Sequence, residues 1–122
     1  MNRIGLGWGL FAPLGCVVVI AIGQLLFKTA SAHLDFRRPF AEPAGLLTLM
    51  VALALYAGAT LVWVAVLARA PLSRVYPIMA LSFVLVPLGS YIVFKERLGL
   101  GYWAGTALIL AGFMVISVTR AR

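Results

Sequence analysis

The chain has 122 residues, of which 64% are hydrophobic and 11% are charged. A soluble domain of this length needs more polar surface to cover its core, so the composition excludes an ordinary globular protein and leaves one membrane domain over residues 1–122. The net charge of +7 does not indicate nucleic-acid binding, because the basic residues stand singly or in pairs at the ends of apolar blocks. Lys and Arg in such positions anchor helices at the lipid headgroups.

The apolar residues form four blocks, at about residues 6–27, 44–68, 75–94 and 102–119. Each block holds about 18–25 residues, which is enough for a helix to cross a hydrocarbon core of about 30 Å. Lipid offers no partner to free backbone groups, and the blocks lack the alternation of barrel strands. The sequence therefore predicts an all-α membrane protein with four transmembrane helices.

The charged loops leave the orientation of these four spans open. Four spans place both chain ends on one side, and each side then carries five basic residues. They are Arg3, Arg69, Arg74, Arg120 and Arg122 on one side, and Lys28, Arg37, Arg38, Lys95 and Arg97 on the other. The positive-inside rule counts Lys and Arg and returns a tie. Either a cue outside this sequence decides, or the protein inserts both ways and pairs antiparallel.

Residues suited to catalysis are scarce. The single histidine, His33, falls in a predicted loop, the single cysteine, Cys16, lies in an apolar block, and no catalytic triad or phosphate-binding glycine loop occurs. The central turns of the predicted helices also lack the ionisable group that proton-coupled carriers normally keep at depth. We expect neither an enzyme nor a requirement for a metal or another cofactor.

Gln24 and Lys28 stand four residues apart at the end of the first block and therefore share one helix face. Together they would place an amide and an ammonium at the mouth of a cleft lined by this helix. The alternative is that Gln24 forms an interhelical hydrogen bond and that the Lys28 side chain merely extends to the lipid headgroups without binding substrate. Both interpretations remain open at this stage.

The third block contains Pro77 and Pro87. Each proline removes a backbone hydrogen bond, and broken helices line the cavities of many transporters. These positions are therefore predicted helix breaks, although membrane helices also tolerate proline without such a role.

The fourth block carries Gly105 and Gly112 seven residues apart, on one helix face. Small residues along one stripe let helix backbones approach closely in lipid. The pattern predicts that the protein functions as a dimer packed through this helix, with the other three helices around a chamber.

Several stretches resemble a known superfamily. Residues 75–83, 94–98 and 105–112 are similar to the C-terminal half of drug/metabolite transporter domains, and residues 22–28 resemble the end of the first helix in the small multidrug resistance branch. The resemblance covers almost the whole chain and implies a small multidrug resistance-like bundle. The drug exporters of that branch carry an essential glutamate where this chain has Ile20, which speaks against drug/proton antiport.

A closer resemblance is to the small subunits of the aminoarabinose-phosphoundecaprenol flippase, which serves lipid A modification. The shared features are Gly23-Gln24-Leu25, Tyr76-Pro77 and Glu96. This resemblance implies lipid transport in the bacterial inner membrane, by a multi-pass protein that forms a homodimer or a heterodimer with a related subunit. A small-molecule exporter of the same fold and a non-transporting accessory subunit are the alternatives.

A polyprenyl-phosphate-linked amino sugar needs an apolar surface, cations for its phosphate and a carboxylate for its amine. Lys28, Arg74 and Arg97 are the candidate cations and Glu96 is the candidate acid, although Glu96 has an alternative role as a partner of Lys95 or Arg97. Aromatic residues such as Trp63 have packing as their alternative role. The predicted substrate-binding residues are Gln24, Lys28, Trp63, Arg74, Tyr76, Ser82, Glu96 and Arg97.

Overall fold

A computed structural model describes residues 5–38 and 40–120, and the regular secondary structure of these residues is helical. Its elements are α1 (Gly5–His33), α2 (Pro43–Leu67), α3 (Leu72–Val75), a 3₁₀ segment (Tyr76–Leu81), α4 (Ser82–Phe94) and α5 (Leu100–Arg120). α3, the 3₁₀ segment and α4 form one span, Leu72–Phe94. Four helices are long and apolar enough to cross a membrane, which confirms the predicted all-α multi-pass architecture. Arg3 and Arg122 lie outside the described residues.

α1 continues beyond the end of the first apolar block, near Phe27, to His33. The added residues include Lys28 and two alanines, which are good helix formers, so the helix outlasts the apolar pattern. Lys28 therefore lies in a helical turn, one turn after Gln24. α2 begins at Pro43, where the fixed φ of proline suits the first helical position and its missing N–H leaves no bond unmade.

The two prolines of the third span have different surroundings. Pro77 lies in the 3₁₀ segment, whereas α4 continues through the buried Pro87. A 3₁₀ stretch is narrower than an α-helix and has poorer hydrogen-bond geometry. The irregular part of this span is therefore its first half, around Pro77.

α1 and α2 form the most extensive helix contact of the described chain. The buried residues of α2 recur every seven positions along one stripe, namely Gly45, Ala52, Ala59 and Val66. Because the first three of these residues are small, the two backbones approach closely, and a Cβ added at Gly45 would lie 2.6 Å from the carbonyl oxygen of His33. Close packing of this kind stabilises helix pairs where lipid removes the hydrophobic driving force.

The other two spans pack around this pair. α4 meets α1 where the space above Gly89 is occupied by the side chain of Leu25. α5 mainly contacts the 3₁₀ segment, and only 6% of its apolar window is buried, against 33% for α1. A Cβ at Gly105 or Gly112 would meet no atom within 4 Å, so this stripe of α5 remains available for the predicted association.

Candidate functional site

Most Ser and Thr hydroxyl groups in the spans bond to the backbone of their own span. Seven described Ser and Thr side chains donate to a carbonyl three or four residues earlier; they are Thr29, Ser31, Thr48, Thr60, Ser82, Ser117 and Thr119. This arrangement satisfies the hydroxyl without a partner from another span. Ser90 differs, because its Oγ donates a hydrogen bond to the carboxylate of Glu96, beyond the end of α4.

Glu96 also receives a cation from α1. Its Oε1 lies 3.3 Å from Nζ of Lys28, while its Oε2 accepts the hydrogen bond from Ser90. The Lys28 and Glu96 side chains are 59% and 44% exposed, so both charges are accessible from outside the protein. The contact joins the end of α1 to α4 and to the α4–α5 loop.

The backbone of Lys95 brings Glu96 back over α4. Lys95 follows the last residue of α4 and has φ 55° and ψ 33°, in the left-handed region. A left-handed residue at a helix end reverses the chain direction, which here turns Glu96 toward the last turn of the helix it has just left. This conformation is sterically unfavourable for a residue with a Cβ, so a lysine adopts it only where the surrounding structure holds it there.

The surroundings of Glu96 favour its ionised form. The hydrogen bond from the Ser90 hydroxyl, and then the hydrogen bond and positive charge of Lys28, lower the pKa of this carboxyl below its ordinary value. Glu96 is therefore a carboxylate at neutral pH, with one oxygen held by Ser90 and the other facing a cation.

Gln24 lies one turn deeper on the same face of α1 as Lys28. Its Nε2 donates a hydrogen bond to Oη of Tyr56 in α2. The Tyr56 ring packs against Gly23 and lies 5.0 Å from the ring of Phe27, so both α1 neighbours hold it in place. The structure thus contains the interhelical hydrogen bond that was one of the two interpretations of Gln24.

The remaining predicted binding residues form no hydrogen bond or ion pair with the side chains of Lys28 or Glu96 in the described chain. Tyr76 and Ser82 line an open groove of about 440 Å³ beside the 3₁₀ segment, together with Pro77, Met79, Ala80 and Phe83. Trp63 packs on the buried cluster of Ala12, Val66 and Val75. Arg74 and Arg97 are exposed. Of the predicted set, the structure joins Lys28 to Glu96 and places Gln24 one turn from Lys28, while Arg97 is only the chain neighbour of Glu96.

Curated relatives named as flippase subunits match most of the chain. It is 32% identical to the probable 4-amino-4-deoxy-L-arabinose-phosphoundecaprenol flippase subunit ArnF of Pseudomonas paraeruginosa, over 93% of this chain and 86% of the relative. The corresponding ArnF of Erwinia tasmaniensis is 35% identical, over 93% of this chain and 98% of the relative. A probable ArnE subunit of the same flippase, from Pseudomonas fluorescens, is 32% identical over 84% of this chain and 90% of the relative.

The chain belongs to the ArnE/ArnF family. This assignment confirms the resemblance inferred from the motifs around Gln24, Tyr76 and Glu96. No protein-family model and no solved structure matches the chain.

Sequence reasoning missed two members of the site of this ArnE/ArnF-family protein. Tyr56 and Ser90 are not among the predicted binding residues, although they bond Gln24 and Glu96. The partner of Glu96 is Lys28 on α1 rather than its sequence neighbours Lys95 or Arg97. A usable signal for Ser90 was its place six residues before the acid, at the end of a predicted helix.

Proposed function

We propose that this ArnE/ArnF-family protein is a subunit of an inner-membrane flippase for 4-amino-4-deoxy-L-arabinose-phosphoundecaprenol. It acts as a transporter and not as an enzyme. The observation that carries the proposal is the accessible pair of Lys28 and Glu96, whose charges lie 3.3 Å apart at the end of a membrane span. The headgroup of that lipid carries a phosphate and an amine, which need a cation and a carboxylate.

Lys28 is the proposed phosphate ligand, and Gln24 the amide that lines the path one turn deeper. The polyprenyl chain needs no enclosed cavity, because the outer surfaces of the spans are apolar and face lipid. Ile20 stands where drug exporters of the wider superfamily carry a glutamate, and this difference favours a lipid substrate over a cationic drug.

A direct test is reconstitution of the protein in vesicles, alone and together with a related family subunit. The vesicles carry labelled aminoarabinose-phosphoundecaprenol, and the measurement is the rate at which the label becomes accessible on the opposite leaflet. We expect faster exchange than in protein-free vesicles in at least one combination. Exchange at the protein-free rate in both combinations, or proton-driven efflux of ethidium by this protein alone, would contradict the proposal.

The ArnE and ArnF relatives are named as flippase subunits. We therefore infer that the functional unit contains a second copy of this chain, or another family member, packed against α5. Gly112→Leu fills the open space over this helix with a large side chain and should weaken association in detergent. Gly58→Leu on α2, where a Cβ also meets no atom within 4 Å, is the matched control. Equal association of both variants, measured by crosslinking, would place the interface elsewhere.

A further inference from the structure

We propose that the headgroup replaces the Lys28–Glu96 pair by exchange, with the phosphate taking Lys28 and the amine taking Glu96. The site then selects lipids whose headgroup carries both charges, and it discriminates against polyprenyl phosphates that lack the amine. This inference rests on the proposed function and adds Glu96 as its specificity-determining residue.

The ion pair of Lys28 and Glu96 is easily opened. Both side chains are about half exposed, and ion pairs in such positions contribute little to stability. A pair buried away from water would hold its charges too tightly, since separating it would leave both uncompensated. The observed geometry therefore keeps the two charges together without blocking a ligand.

Glu96 keeps its position when Lys28 leaves. Its Oε2 is held by the Ser90 hydroxyl, and the left-handed Lys95 fixes the direction of the loop. Its Oε1 faces Lys28. That oxygen is therefore the one that an incoming ammonium would meet, while Ser90 acts as a positioning residue for the carboxylate.

The possible ligands differ in which charges of the protein they leave paired. A lipid with phosphate and amine leaves each charge of the protein paired, as it was before binding. A lipid with phosphate alone removes Lys28 from Glu96 and leaves the carboxylate next to a second negative charge, which is unfavourable. A simple cation has the opposite defect, because it leaves Lys28 without an anion. Exchange thus rejects singly charged ligands through the partner that each leaves behind.

The test compares two lipids that differ in one group. The purified protein, with its partner subunit where one co-purifies, is titrated with aminoarabinose-phosphoundecaprenol and with the analogue that carries a hydroxyl in place of the amine. Binding is followed by the shift of the thermal unfolding midpoint with lipid concentration. We expect the wild-type protein to prefer the amino lipid by about tenfold or more, the effect of a charge-assisted contact.

Three variants separate the roles within the site. Glu96→Gln should lose the preference and still bind both lipids through Lys28, and Ser90→Ala should reduce it by freeing the carboxylate. Glu42→Gln is the matched control, because it makes the same change at an exposed carboxylate without a capping hydrogen bond at the start of α2. It should keep the wild-type preference.

The wild-type measurement alone is decisive if a variant fails to fold. Equal affinity of the wild-type protein for both lipids would overturn the exchange and leave the proposed function standing. Binding of neither lipid would overturn both proposals. A full preference in Glu96→Gln would place the recognition of the amine elsewhere.

Discussion

Lys28→Ala should reduce transport by roughly 10- to 150-fold, the equivalent of about 1.5–3 kcal/mol for a charge-assisted hydrogen bond to a phosphate. The loss follows because Lys28 is the cation that α1 places beside Glu96, at the mouth of the proposed path. Folding should hardly change, since the side chain is 59% exposed and its ion pair is partly solvated. The measurement is the flipping rate in reconstituted vesicles, normalised to the amount of folded protein.

Two further substitutions distinguish phosphate binding from simple anchoring at the headgroups. Lys28→Arg should keep part of the activity, because a guanidinium also binds phosphate but with another reach and geometry. Lys28→Gln should behave like Lys28→Ala, since it keeps most of the side-chain length and a polar end but loses the charge.

The control for these variants is Arg37→Ala. Arg37 lies in the loop after α1, on the same side of the membrane as Lys28, and its exposed side chain forms no ion pair with the described residues. Its loss should leave the flipping rate within about twofold of the wild type, as expected for an exposed surface charge. Full activity of Lys28→Ala, or an equal loss in Arg37→Ala, would reject Lys28 as a specific ligand.

The four spans were predictable because the bilayer imposes a simple rule. Any helix that crosses it needs a long apolar block, and the sequence has four of them. The end of α1 was less predictable. The apolar pattern stops near Phe27, while the helix continues to His33 on residues whose backbone preference is helical. Hydropathy therefore indicates which residues lie in lipid, but it does not locate the ends of the helix.

The spacing of small residues predicts close packing of a helix but not its partner. The spacing of Gly105 and Gly112 predicts a contact face on the fourth span, which the described chain leaves open. The same seven-residue spacing joins Gly45, Ala52 and Ala59 in α2, and this stripe forms the close contact with α1. A stripe read from one sequence indicates that a helix can pack closely, but it does not identify the partner.

The candidate site was predictable only where helix geometry decides it. Gln24 and Lys28 share a face because they are four residues apart. The pairing of Lys28 with Glu96 depends on how α4 packs on α1, and on a left-handed conformation at Lys95 that nothing in this lysine favours. Local reasoning therefore selects the nearest cation as the partner of Glu96, whereas the fold supplies one from another helix.

Gly23→Ala should lower the stability of the protein because the site above this glycine is filled. A Cβ there would lie 2.7 Å from Cδ2 of Tyr56, and nearer still to Cε2. The ring cannot move away freely, since Gln24 bonds its hydroxyl and Phe27 packs against it. Overpacking of this kind costs about 1–3 kcal/mol, which exceeds the gain of up to about 1 kcal/mol from replacing glycine by alanine in a helix.

Gly15→Ala is the matched control for Gly23→Ala, because it makes the same change in α1 where a Cβ would meet no atom within 4 Å. Its midpoint of thermal unfolding in detergent should equal or exceed that of the wild type, whereas the midpoint of Gly23→Ala should fall. Removing the ring with Tyr56→Ala should abolish the penalty, so that Gly23→Ala becomes neutral in that background. Equal midpoints for Gly15→Ala and Gly23→Ala would show that Tyr56 yields readily, and the hydrogen bond with Gln24 would then hold no fixed geometry. A penalty that persists without the ring would instead assign the cost to the backbone of α1.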